Sequence, residues 1–357
     1  MSWTFVGAVA LAPNLAAAQH VTTESAGTIV SPTSAPTTGS TVLGYGNYAA
    51  RAAAAALVSA SSVRAPVALP LASTMGPEVL HVQILLDAAR FAPGILDGRW
   101  SENTLFALRA FREAQALPVS DSVDVELWAR LQKATGDRDP LTRYTLSADD
   151  VRGPYRALPK SIYAKAQRDC LCYESMIEQL GERFHTSTDV LRRINPDVDF
   201  AHASAGTPIL VPNVARVAAP RAATHLRVTR GEGSVRGYDR VGNLVFWLPS
   251  TVGSTEEPSP RGTLRVTSIT RNPRYHYNPL VLGDVPDSRP DAMLAPGPNS
   301  PVGVLWAQLS KDHVGIHGTA DPELVGYAQS HGCVRVTNWD ARWLADLLVP
   351  GMIVDFR

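Results

Sequence analysis

Cys333 stands in the run Ser330-His331-Gly332-Cys333-Val334-Arg335, and a second histidine, His317, lies sixteen positions earlier in Ile316-His317-Gly318-Thr319. A thiol attacks a carbonyl as its thiolate, and an imidazole, which titrates near neutral pH, is the side chain best suited to take the proton. A glycine directly before the cysteine lets backbone approach closely, and the N–H groups of such a turn can converge on a developing oxyanion. Spacing alone shows only that one cysteine and two histidines can be neighbours. Three other arrangements fit it: a turn holding a buried, inert thiol, a zinc site from His317, His331 and Cys333 with no matched second pair of ligands, or histidines that serve structure alone.

The whole pattern, His-Gly-Thr followed by a short connection and Ser-His-Gly-Cys-Val-Arg, resembles the active site of YkuD-like L,D-transpeptidase catalytic domains. Three further segments are similar to that family in the same order: SPRGTLRVTSI at 259–269, with Ser259 where threonine is usual, PGPNSPVGVLW at 296–306, and NWDARWLADLLVPGMIVDF at 338–356. The resemblance covers roughly 224–357. It implies Cys333 as nucleophile, His317 as general base, the Gly318 carbonyl as the group that orients the imidazole, and the Gly332 and Cys333 amides as oxyanion hole. Ser330 and His331 would shape the site. Arg335 would bind a substrate carboxylate such as that of meso-diaminopimelate, for which a guanidinium fork is suited; a structural arginine paired with a nearby aspartate is the competing reading. The Pro-rich stretch 271–297 corresponds to a loop capping the cleft, where Tyr275, His276 and Tyr277 would contact substrate or pack on the sheet.

The reaction implied is ping-pong acyl transfer on a peptidoglycan tetrapeptide stem, with loss of D-Ala and formation of a 3–3 crosslink or a link to an acceptor protein, no metal or organic cofactor, and carbapenems as covalent inhibitors. An L,D-carboxypeptidase, in which water resolves the acyl-enzyme, and a non-catalytic peptidoglycan-binding protein are the alternatives. A pure binder has no need of both Cys333 and His317.

These residues need a scaffold, and 357 residues suffice for two or three domains. Hydrophobic residues make up 45% and charged residues 18%, a globular composition. Lys plus Arg and Asp plus Glu are 33 each, so zero net charge gives no electrostatic case for nucleic acid or an anionic membrane surface. The catalytic region, 224–357, reads as short strands with Gly and Pro punctuation: 225–229, 244–251, 262–269, 302–310, 314–318 and 352–356. One helix, Asn338 to Leu348, is expected with Asn338 as its cap. The fold class expected is multidomain, with a mainly-β catalytic domain (a β-sandwich with a short helix) behind two small modules.

The first module, 76–137, shows helical spacing at Val79, Val82, Leu85 and Leu86, a turn at 94–104, a second helix opened by Thr104, and a third with Leu127, Trp128 and Leu131. It resembles the three-helix peptidoglycan-binding domain. The second, 143–214, resembles a LysM unit, a strand–helix–helix–strand fold implying glycan binding, through INP at 194–196 and GTPILVP at 206–212. Its first strand is hard to place, and an insert carries Cys170 and Cys172, either a small disulfide or two reduced thiols. Residues 19–75 read as an Ala/Ser/Thr/Pro-rich linker, with a short helix expected over Tyr48–Ala60. The apolar run Trp3–Ala12 and Ala16-Ala17-Ala18 read as a secretory signal peptide over 1–18; together with Arg335, which matches the arginine of Gram-negative-type members of the family it resembles, this implies the periplasm of a Gram-negative envelope. No later stretch is long and apolar enough to be transmembrane.

Overall fold

The computed structural model describes residues 53, 57–219, 222–255, 257–279 and 290–357. The signal-peptide region, most of the linker and residues 280–289 of the capping loop lie outside the described residues. Of the helix expected over Tyr48–Ala60 only residues 53 and 57–60 are described: a one-turn helix, Ala60–Arg64, starts where that expectation stops, with Ser59 as its cap.

Three helices form the first module, α1 Pro77–Ala88, α2 Glu102–Ala114 and α3 Val125–Thr135. Helix α1 is buried on nearly every side because it serves two cores. Val82, Leu85 and Leu86 pack against α2 and α3, while Leu80 and Ile84 join the core of the next module. Helix α2 begins at Glu102 and not at Thr104, because the Ser101 hydroxyl accepts from the Thr104 N–H and fixes the first turn earlier. The Asp97-Gly98 turn is held by Gln83, whose side-chain oxygen accepts from the Gly98 N–H at 2.9 Å.

The second module pairs β1, Leu141–Thr145, antiparallel with β2, Pro208–Pro212, around α4, Met176–Arg183, and α5, Thr188–Ile194. The missing first strand therefore lies at 141–145, and the stretch at 146–152 leaves it at once for a one-turn helix. Asn195 ties α5 to β2 by donating to Leu210 O at 2.8 Å and accepting from Leu210 N at 2.7 Å. A disulfide joins Cys170 and Cys172. Leu171 between them is fully buried.

The catalytic region is an eight-stranded sheet in the order β11-β10-β9-β6-β12-β3-β4-β5. The strands are β3 His225–Thr229, β4 Ser234–Tyr238, β5 Leu244–Pro249, β6 Gly262–Arg271, β9 Leu305–Leu309, β10 Gly315–His317, β11 Val334–Arg335 and β12 Ile353–Phe356. The expected sandwich is thus one continuous sheet that curls. The ten-residue β6 pairs with β12 along its first half and with β9 along its second, with a register shift between Val266 and Ser268. Bulges of this kind bend a strand and raise its twist. Residues of both halves, such as Val228, Val354, Ala307 and Ile316, share one core with α6, Asn338–Leu347. A two-stranded flap, β7 Tyr275–Tyr277 with β8 Ala292–Leu294, stands apart.

The modules close on the sheet. Strand β5 is buried along its whole length because Phe246 and Leu248 enter the catalytic core while Trp247 enters the helical one. Its free edge is covered by residues 90–92: Trp247 N donates to Arg90 O at 3.1 Å and Ala92 N to Trp247 O at 3.0 Å. Arg216, itself buried, bonds both Asp87 of α1 and Asp340 of α6, and His185 Nδ1 lies 2.8 Å from the same Asp87. Burial alone would raise the Asp87 carboxyl, but His185 and Arg216 outweigh it and hold the group below the ordinary carboxylate range.

His81 on α1 is buried against the edge of Trp128, with ring centroids 5.1 Å apart. Burial pushes its imidazole down from 6.5 to about 4, and Asp139 offsets only part of this. The unfolded chain therefore binds the proton first. Stability should be full above pH 6.5 and fall as the pH drops from there towards 4, by up to about 3 kcal/mol. Urea midpoints across that window should show the slope in the wild type and lose it in His81→Phe; a slope unchanged in the variant would assign it elsewhere.

Candidate active site

Strands β10 and β11 are parallel, with Ile316 opposite Val334 and His317 opposite Arg335. Side chains alternate along a strand, so Arg335 projects on the face of its partner His317, and Cys333, two residues before Arg335, continues that alternation onto the same face. On the other side β9 places Trp306 opposite His317, and the two rings stack at 5.6 Å with planes 27° apart. The sheet thus sets His317 between an indole and the strand that follows Cys333.

His317 is 1% exposed and Cys333 2%. Burial at that level keeps bulk water from both groups. The imidazole Nδ1 lies 2.6 Å from Gly318 O. A carbonyl can only accept, so Nδ1 carries a proton, and in the neutral imidazole Nε2 keeps the lone pair. The Cys333 thiol donates to His313 O at 3.4 Å, a weak bond to a residue two positions before β10 that has a left-handed φ of 60°.

The turn before Cys333 is held from several directions. Ser330 Oγ donates to Cys333 O at 2.6 Å and accepts from Gly332 N at 3.3 Å. Ser259 Oγ donates to Gly332 O at 2.9 Å and accepts from Gly253 N at 2.9 Å. Thr251 and Arg335 exchange both backbone bonds, at 2.8 and 2.9 Å. Gly332 has φ 108°, a conformation that requires glycine. Of the two amides expected in the oxyanion hole, that of Gly332 is engaged by Ser330 here.

Tyr275 and Tyr277 of β7 are buried in one cluster with Trp306 and Cys333, whereas His276 between them turns away to Asp291, 2.9 Å distant. Leu171 and Ile162 of the disulfide-bearing insert enter the same cluster, and Tyr163 packs edge-on against Tyr277. His331 points to Glu257, 3.7 Å away. Among the described residues no three His, Cys, Asp or Glu side chains gather as a metal set.

Residues 225–355 match the family model of YkuD, the L,D-transpeptidase catalytic domain. The chain carries an L,D-transpeptidase catalytic domain and is an enzyme of that type. It is 29% identical over 176 residues to the protein of Bacillus licheniformis assigned as L,D-transpeptidase YkuD, a match covering 49% of this chain and 89% of the relative. The corresponding Bacillus subtilis protein is 27% identical over 178 residues, with the same coverage of 49% and 89%. Among solved structures the chain is similar to the L,D-transpeptidase of Xylanimonas cellulosilytica, at 16% identity and a TM-score of 0.35, over 82% of this chain and 98% of that one. It is also similar to L,D-transpeptidase 3 of Mycobacterium tuberculosis in complex with a faropenem-derived adduct, at 14% identity and a TM-score of 0.31, over 44% and 76%.

In the L,D-transpeptidase domain the structure adds residues that sequence reading did not place at the site. Trp306 was legible only as a strand residue. Asn338, expected to cap α6, does not: Thr337 caps it, its hydroxyl accepting from Asp340 N at 3.2 Å and donating to Asp340 Oδ2 at 2.7 Å. The Thr-x-x-Asp spacing was the available signal. Freed from capping, the buried Asn338 accepts from Val304 N and Thr319 N, each at 3.2 Å.

Ser330→Ala should leave the Gly332 N–H and the Cys333 carbonyl without their buried partner, a loss of about 1–3 kcal/mol. Urea denaturation should show it as a lower midpoint with unchanged slope. A midpoint equal to the wild type would mean that Ser330 does not hold the cysteine turn.

Proposed function

We propose that this enzyme acts on peptidoglycan tetrapeptide stems through a Cys333 thioester. The observation that carries the reading is the Nδ1–H bond from His317 to the Gly318 carbonyl, which leaves Nε2 as the basic nitrogen on the face that Cys333 shares. His317 takes the thiol proton and the thiolate attacks the carbonyl joining meso-diaminopimelate to the terminal D-Ala. The Cys333 amide, joined by Gly332 if the Ser330 bond gives way, holds the oxyanion. His317 returns the proton to the departing D-Ala amine, and a thioester to Cys333 remains. An amine from a second stem, or from a protein, then attacks; its proton passes to His317 and the Cys333 thiolate leaves. The product is a 3–3 crosslink or a protein–peptidoglycan link. No step requires a metal or an organic cofactor.

Arg335, paired with His317 across the strands, supports recognition of a substrate carboxylate on this face. We assign Tyr275 and Tyr277 to the apolar wall behind the thiol, and Ser330 and His331 to the shape of its turn. The helical module and the strand–helix–helix–strand module would hold the enzyme on the glycan. The periplasm is the compartment that fits: the Cys170–Cys172 disulfide suits an oxidising environment. Among the described residues no helix is long and apolar enough to cross a membrane.

A carbapenem offers the thiolate a strained amide whose opening leaves a stable acyl group on sulfur. Incubation with imipenem should add one drug mass to the intact wild-type protein and none to Cys333→Ala. His317→Ala should acylate about 10²- to 10⁴-fold more slowly, the range for loss of a positioned base. Mass spectrometry over time reads both, and an unmodified wild type would remove the cysteine mechanism.

A further inference from the structure

The loop that carries His317 and Gly318 is held by one buried carboxamide. Asn338 Oδ1 accepts from Thr319 N and Val304 N at 3.2 Å. The backbone passes so near that a Cβ on Gly318 would lie 2.3 Å from this oxygen and one on Gly303 2.0 Å from it. The turn that presents the Gly318 carbonyl to His317 therefore takes its position from Asn338. A carboxamide does this only with its oxygen towards the two N–H groups; turned over, it would set donor against donor.

The other end of Asn338 fixes that choice. Its Nδ2 donates to Pro298 O at 2.9 Å and to Glu182 Oε2 at 2.8 Å. Glu182 does not belong to the catalytic region. It lies on α4 of the strand–helix–helix–strand module, 156 positions earlier in the chain, with its side chain only 9% exposed. Its second oxygen takes Arg342 Nη1 at 2.8 Å and the Tyr173 hydroxyl, and a carboxylate can only accept. A charged acceptor is the stronger partner for an amide donor.

We propose that Glu182 is a positioning residue for the catalytic centre. It sets the orientation of Asn338, Asn338 sets the Gly318 turn, and the Gly318 carbonyl holds the His317 imidazole in its basic tautomer. The module behind the catalytic domain is on this account part of the active site's framework, whatever it also does on the glycan. The inference rests on the cysteine–histidine reading given above.

The test compares imipenem acylation by the full-length wild type, Glu182→Ala and Arg342→Ala, reading the saturating rate constant and the half-saturating concentration separately. Glu182→Ala should lose about 10- to 100-fold in the rate constant, the scale of a small misplacement at a reacting centre, with half-saturation unchanged within about twofold. Arg342→Ala breaks the ion pair to the same carboxylate but leaves the bond to Asn338. It should lower the melting temperature and keep the acylation rate within about twofold. Should Glu182→Ala fail to fold, Glu182→Gln decides: its single carbonyl is claimed by Arg342 and Tyr173, which turns its amide towards Asn338, and the rate should fall likewise. A folded Glu182 variant reacting at the wild-type rate overturns the proposal alone, as does an Arg342→Ala that loses as much rate as Glu182→Ala. An unreactive wild type overturns the cysteine mechanism and this proposal with it.

Discussion

Parallel pairing of β10 with β11 is the constraint on which the site depends. A parallel pair cannot be closed by a tight turn; the chain must travel out and return to the starting end of the first strand. Residues 318–333 make that journey, and the sixteen positions between His317 and Cys333 are its length. The same pairing puts His317 opposite Arg335 and leaves Cys333 on their face. Antiparallel β9 completes the arrangement by laying Trp306 on the other side of the imidazole. One ladder thus gathers imidazole, thiol and guanidinium with no side-chain contact needed to specify them.

A ladder that short, two residue pairs in β10–β11, needs support from outside. Thr251 pairs with the far edge of Arg335, Ser259 and Ser330 hold the turn at Gly332, and Asn338 holds the turn after His317. Behind these stand the modules. Arg216 binds Asp340 on α6 and Asp87 on α1, its guanidinium 5.0 Å over Trp343, while His185 stacks on Trp339 at 5.1 Å. Buried charges left without partners are costly, so these contacts make the relative placement of the modules specific. The helix that supplies Asn338 is therefore gripped from two directions by chain that precedes the catalytic domain.

Much of this was legible in the residues. The strands at 225–229, 262–269 and 352–356, the three helices of the first module and the pairing of His317 with the Cys333 run follow from local pattern and motif. What escaped was decided by partners far away in sequence. Strand β4, Ser234–Tyr238, carries Arg236 and Gly237, a poor strand pattern; Gly237 is there because a Cβ would lie 1.9 Å from the Phe246 ring on β5. The expected sandwich is one curled sheet because β6 is long enough to serve both halves. Asn338 reads as a cap because asparagine is a good one, and the Thr337-x-x-Asp340 spacing is the local signal that points to Thr337 instead. Glu182 has no local signal at all; its importance arises from a contact across 156 positions.

The proposed mechanism requires Cys333 to carry the acyl group during turnover. Acid quenching during reaction with a disaccharide-tetrapeptide, followed by peptide mapping, tests it most directly. The expected result is the substrate mass less D-Ala on the peptide containing Cys333, labile to hydroxylamine as a thioester must be. Release of D-Ala with Cys333 unmodified at every quench time, and still open to alkylation, would contradict it.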